Sequence, residues 1–95
     1  MSDVIEAAVA ALSGKLADGF DGSAKFVISG EGAIMVDGAG VRAADEDADV
    51  TLTADAETFR DILGGDLNPT SAFMSGKLAI EGDMGTAMQL GAALG

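Results

Sequence analysis

Two of the side-chain types that most often carry catalysis are missing: the chain has no His and no Cys. The commonest general base and the best thiol nucleophile are therefore absent. Hydroxyls stand at Ser2, Ser13, Ser23, Ser29, Ser71 and Ser75. Lys77 lies two residues after Ser75, and Gly76 between them reads as a helix terminator. Ordinary boundary chemistry accounts for that pair. With 16 Asp and Glu, carboxylate pairs arise from composition alone, and none stands out as an acid–base couple. The chain is expected not to be an enzyme and to need no cofactor.

Two patterns resemble binding motifs and fail on their chemistry. Asp45, Asp47 and Asp49 fall on the first three ligand positions of a calcium loop. Position 6 would then be Val50 in place of Gly, and position 12 Ala56 in place of a bidentate Glu. A solvated acidic turn between strands is the expected reading, with no metal. Gly38-Ala39-Gly40-Val41-Arg42-Ala43 matches the dinucleotide spacing, which requires a helix N-terminus to hold the pyrophosphate. Here the residues after the turn read as strand, so a glycine-rich hairpin is expected.

What remains in excess is apolar and soft. Phe20, Phe26, Phe59 and Phe73 are the only aromatics, and Met35, Met74, Met84 and Met88 join them. Methionine is flexible and polarizable, suited to surfaces that close over variable apolar ligands. Most such residues in a small domain are simply its core, so composition leaves both readings open. With 48% hydrophobic residues in 95, the apolar material must be buried or line something. No apolar run approaches the ~20 residues that span a bilayer.

Five basic residues face 16 acidic ones, a net charge of −11. Nucleic-acid binding, which rests on Lys and Arg neutralising phosphates, is excluded as a function class. Docking to anionic membrane is not expected either. Without cysteine there is no disulfide framework. The start, Met1-Ser2-Asp3-Val4, lacks a basic, apolar leader, and Ala93-Leu94-Gly95 carries no peroxisomal address. A soluble, cytoplasmic protein forming one domain over residues 1–95 is the expectation.

The elements that must position these residues follow from spacing. Asp3 and Glu6 suit a capping box, and Ile5, Ala8, Val9, Leu12 and Leu16 recur at helical spacing up to a stop at Gly19. Residues 25–29, 33–36, 40–44 and 49–53 are short β-branched runs separated by Gly and Asp, and predict an antiparallel meander. Asp55 caps a second helix bearing Phe59, Ile62 and Leu63, ended by Gly64-Gly65. Asn68-Pro69 starts a third, short helix. Leu78 to Glu81 reads as a fifth strand, left unplaced in the sheet, and Asp83 caps a last helix. Strands followed by helices argue for an α+β fold.

Residues 67–85, Leu67-Asn68-Pro69-Thr70-Ser71-Ala72-Phe73-Met74-Ser75-Gly76-Lys77-Leu78-Ala79-Ile80-Glu81-Gly82-Asp83-Met84-Gly85, resemble the signature of the sterol carrier protein 2 family. An Asn-Pro start, a Phe-Met-x-Gly-Lys-Leu turn into a strand and a Gly-Asp-Met helix start occur in that order. The Asp49–Thr53 strand, the Phe59 helix and, more weakly, the hairpin from Phe26 to Gly32 extend the likeness over nearly the whole chain. The resemblance implies a five-stranded sheet covered by helices with an apolar tunnel between them. It also implies binding or transfer of lipid without chemical change. Acyl chains, as fatty acid or fatty acyl-CoA, fit better than sterol, because many standalone members come from bacteria that lack sterols.

Carried over residue by residue, the tunnel lining would be Phe59, Leu63, Phe73, Met74, Leu78, Ile80, Met84, Met88 and Leu90, with Phe26 and Ile34 from the first strands. Gln89 and Lys77 would meet a head group. The chain is shorter than many relatives, so a loose last helix and a more open tunnel are expected. Its first helix is acidic where membrane-active relatives are basic. The competing reading is a protein-interaction or homodimerisation module with its cavity packed shut, accessory to a lipid-metabolising enzyme partner.

Overall fold

The computed structural model describes residues 3–16 and 20–94. The expected helix stop at Gly19 lies outside them. Helix α1, Asp3–Lys15, buries Ile5, Ala8 and Leu12, one stripe at i, i+3 and i+7. Strands β1 (Ala24–Ile28), β2 (Gly32–Asp37), β3 (Gly40–Ala43) and β4 (Val50–Ala54) follow. Then come α2 (Ala56–Leu63), α3 (Pro69–Met74), β5 (Ala79–Gly82) and α4 (Met84–Leu94). The fold is α+β with one five-stranded sheet.

The strand order is β3-β2-β1-β4-β5. The expectation of a meander through four strands holds only for β1 to β3, which pair antiparallel. Strand β4 instead lies parallel to β1, Ala24 opposite Val50 and Ile28 opposite Ala54. The reason is in the connections. Gly38 and Ala39 make a two-residue hairpin loop between β2 and β3, whereas residues 44–49 contain no glycine for a tight turn. The chain therefore leaves the β3 edge and returns across the sheet to the free side of β1. Strand β5, left unplaced by the sequence, adds antiparallel to β4 at the far edge.

Register divides the two faces. Ala24, Phe26, Ile28, Ile34, Val36, Val50, Leu52 and Ala54 share one face and are all buried. Helix α1 lies on β2 and β3, and α4 lies on β1, β4 and β5. Phe59 of α2 reaches the sheet centre, its ring centroid 5.0 Å from that of Phe26 at a 43° tilt. This apolar layer is the core.

The opposite face carries Lys25, Arg42 and Thr51, with Met35 buried between Lys25 and Arg42 in the register. The returning acidic segment is fastened on this side. Lys25 Nζ stands 2.9 Å from Asp45, and Arg42 bridges Asp37 at 3.0 Å and Glu46 at 3.2 Å. The segment ends where Asp49 N–H donates to the Ser23 hydroxyl and Ser23 N–H to the Asp49 carboxylate. The acidic turn is thus a crossover strap. Gly82 meets it from β5: at φ +108° its missing Cβ would collide with the Asp49 carbonyl.

Candidate functional site

The Asn68-Pro69 start creates the short helix α3. Asn68 Oδ1 accepts from Thr70 N–H at 2.8 Å and Ser71 N–H at 3.4 Å, and Pro69 brings a preset φ. The helix ends at Ser75, and Gly76 turns the chain at φ +82°. The N–H groups of Lys77 and Leu78 both return to the Ala72 carbonyl, which aims the chain into β5. At the other end of β5, the Asp83 carboxylate accepts from Gly85 N–H and the Thr86 hydroxyl, capping α4. These two bonds hold the Asp83 carboxyl below its ordinary value, Thr86 contributing most.

Helix α4 then presents Met84, Ala87, Met88, Gly91 and Ala92 along one stripe. Together with Phe73 and Met74 of α3, Leu78 and Ile80 around β5, and Leu52 of β4, they line a groove of about 500 Å³. Asn68, Pro69 and Thr70 complete its wall. Four of its large apolar side chains are left to solvent: Phe73 is 40% exposed, Met84 46%, Met88 75% and Met74 80%. Singly exposed apolar residues are ordinary, but four around one groove make it the candidate binding surface.

A second recess of about 490 Å³ separates α1 from α2. Val4, Ala7 and Ala11 line one wall and Phe59 and Leu63 the other, with Asp3 and Arg60 also at its surface. Asp55 caps α2 by accepting from Thr58 N–H at 2.7 Å. That bond, aided by the Thr58 hydroxyl and the charge of Lys77, holds the Asp55 carboxyl below its ordinary value.

The expected lining residues therefore fall into three places. Phe73, Met74, Leu78, Ile80, Met84 and Met88 meet in the α3–β5–α4 groove. Phe59 and Leu63 belong to the α1–α2 recess. Phe26, Ile34 and Leu90 are core, at 2%, 0% and 0% exposure, and line neither space. Gln89 and Lys77 are exposed and line neither. Leu90 parts from Met88 because two residues turn a helix by about 200°, so they point to opposite sides. Sequence reasoning missed Ala87, Gly91 and Ala92, which the i, i+3 and i+4 stripe from Met84 and Met88 could have found. It also missed Asn68 and Thr70 as wall residues, since both read as capping chemistry.

Elsewhere the failed motifs keep their ordinary roles. Gly38 and Gly40 serve the β2–β3 hairpin. Among the described residues no group of three or more Asp or Glu is arranged to hold a metal ion. Nor is any described helix long and apolar enough to cross a membrane.

The fold is an α+β sheet with an exposed apolar groove, and comparison gives the family. The chain belongs to the SCP-2 sterol transfer family, whose profile matches residues 4–95. A solved structure of palmitated SCP2L2 from Aedes aegypti superposes with a TM-score of 0.73 at 27% identity, covering 99% of this chain and 95% of that one. The Aedes aegypti sterol carrier protein 2 in complex with palmitate gives a TM-score of 0.78 at 20% identity, covering 99% and 96%, and supports the fold. Human sterol carrier protein 2 is 48% identical over 46 residues, 48% of this chain and 8% of that protein. Peroxisomal multifunctional enzyme A of Dictyostelium discoideum is 47% identical over 66 residues, 70% of this chain and 14% of that protein. The chain thus matches only a small part of each curated relative's length.

Proposed function

We propose that this protein binds an acyl-chain lipid in the α3–β5–α4 groove and carries it without chemical change. The observation that carries this reading is the cluster of Phe73, Met74, Met84 and Met88, exposed around an apolar groove of about 500 Å³. That volume lies within the range of small-molecule sites. Affinity comes from withdrawing the chain from water, roughly 25 cal/mol per Å² of apolar surface. The thioethers adapt to chains of different length, and the palmitated relative at 27% identity supports an acyl chain over a sterol.

A carrier, and not an enzyme, is favoured because the chain has neither His nor Cys, and Ser75 spends its hydroxyl on the Ala72 carbonyl. Native mass spectrometry of the purified chain, followed by lipid extraction, tests the reading. Co-purified acyl lipid, with a fluorescent acyl probe bound at micromolar concentration, is the expected result. An empty protein that binds no probe would sink it.

A second reading has one observation in its favour. The relatives named as enzymes carry the matching stretch as a small fraction of their length, 10% in the hydroxysteroid dehydrogenase-like protein 2 of Danio rerio. We propose on that ground that the chain hands its lipid to a separate lipid-metabolising enzyme in the cytoplasm.

A further inference from the structure

Among the described residues the groove is lined by no charged side chain: of 13 lining residues, Asn68 and Thr70 alone carry polar side-chain groups. All five cations of the chain are placed elsewhere. Lys25 and Arg42 are paired on the opposite face of the sheet. Lys15 ends α1, and Arg60 lines the α1–α2 recess. Lys77 is exposed, and its charge is felt by Asp55 at the start of α2.

Nor does helix α4 supply the groove with a net attraction for anions. Asp83, at the start of α4, is adjacent in sequence to the groove residue Met84. Met84 in the first turn of α4 and Gly91 and Ala92 near its end all line the groove, so both ends of the helix dipole reach the wall, the positive one offset by Asp83. The first N–H groups of α3 are already taken by the Asn68 side chain. What is left are neutral hydrogen-bonding groups. The Asn68 amide NH₂ and the Thr70 hydroxyl make no hydrogen bond among the described residues.

We infer that the groove selects acyl lipids whose head group is uncharged, an alcohol or an ester, over carboxylates and acyl-CoA. The inference rests on the lipid-binding reading above and departs from the fatty acid or acyl-CoA expected from sequence. A carboxylate drawn to this wall meets no cation and a net charge of −11. An ester carbonyl or a hydroxyl meets two donors that suit it. Chain length is then read by the apolar wall, and head-group charge by the absence of a partner.

The test uses the full chain and a neutral fatty alcohol bearing a fluorophore at its tail. Dodecanol, methyl dodecanoate, dodecanoate and dodecanoyl-CoA compete for the probe at pH 8. The two neutral ligands are expected to displace it at concentrations about tenfold or more below dodecanoate, with dodecanoyl-CoA weakest. Thr70→Lys separates the groove's own charge from ordinary differences in water solubility. It should shift the dodecanol-to-dodecanoate preference several-fold toward dodecanoate.

Arg60→Gln is run in parallel. Dodecanoate displacement that vanishes in this variant assigns that displacement to probe held in the α1–α2 recess, leaves the groove's preference for neutral ligands standing and sustains the inference. Dodecanoate matching dodecanol in both the unmodified chain and Arg60→Gln overturns it, as does a Thr70→Lys chain with no shift of preference toward dodecanoate. Failure of the probe itself to bind overturns the lipid reading, and this inference falls with it.

Discussion

The domain has a closed half and an open quarter built from the same residue types. Under α1 and α2, Phe26, Ile34 and Phe59 are at most 2% exposed. Around α3, β5 and α4, Phe73, Met74, Met84 and Met88 run from 40% to 80% exposed. In the first region apolar side chains meet one another across the sheet and hold the fold. In the second they face a space that no described element fills. Hydrophobic residue type alone does not separate stability from function; what stands opposite the residue does.

The largest expected effect comes from breaking the closed half. Phe59→Ala removes a buried ring stacked on Phe26 and should lower stability by about 3–5 kcal/mol. At roughly 4–8 °C per kcal/mol in a domain of this size, differential scanning calorimetry would show the loss plainly or find no folded protein. Phe73→Ala, in the open quarter, should cost less than half as much. Equal losses would erase the contrast between the two regions.

Next comes the joint between them. Gly82→Ala places a methyl group against the Asp49 carbonyl at a positive φ that only glycine adopts easily. A loss of about 1–3 kcal/mol is expected by urea unfolding. A chain as stable as the original would mean that β5 can shift off the crossover strap.

A smaller effect distinguishes the caps by pH. Asp55 has a native pKa held below its ordinary 3.8, so its contribution is complete above that value. It is lost as pH falls through the lowered native value. Asp55→Asn, which keeps a capping side chain but cannot ionise, should be less stable near neutrality and converge with the original chain in acid. Parallel curves from pH 7 to pH 2 would show that ionisation of Asp55 is not what the cap uses.

The smallest effect on stability belongs to the groove mouth. Met74→Ser and Met88→Ser should each change unfolding free energy by no more than about 0.5 kcal/mol, since both side chains are largely exposed. Each should nonetheless weaken binding of the fluorescent acyl probe. Unfolding losses comparable to Phe59→Ala would place these residues in the core after all.

Much of this was legible because it is local. Asp55, Asn68 and Asp83 announced three helix starts through their own side chains, and alternation in Val50 to Ala54 announced a half-buried strand. The strand order was not legible. Periodicity says which face a residue occupies but not which strand lies beside it, and β4 pairs with β1 across an intervening hairpin. For the groove, Phe73, Met74, Met84 and Met88 were found by type and by resemblance. Phe26, Ile34 and Leu90 were not separable from them, because an apolar residue facing the core and one facing a ligand give the same pattern.

The parallel seam between β1 and β4 also has a bearing on how the chain assembles. Ser23 and Asp49, whose mutual hydrogen bonds close that seam, are 26 residues apart, whereas β1, β2 and β3 are joined by short turns. Closing the longer loop sacrifices more chain entropy before any contact offsets it. The three-stranded hairpin unit is therefore expected to form first and the β1–β4 seam afterwards. In pulse-labelled hydrogen exchange, amides bonded between β2 and β3 should gain protection ahead of those bonded between β1 and β4. The seam beside the central strand of this sheet is, in time, a late addition.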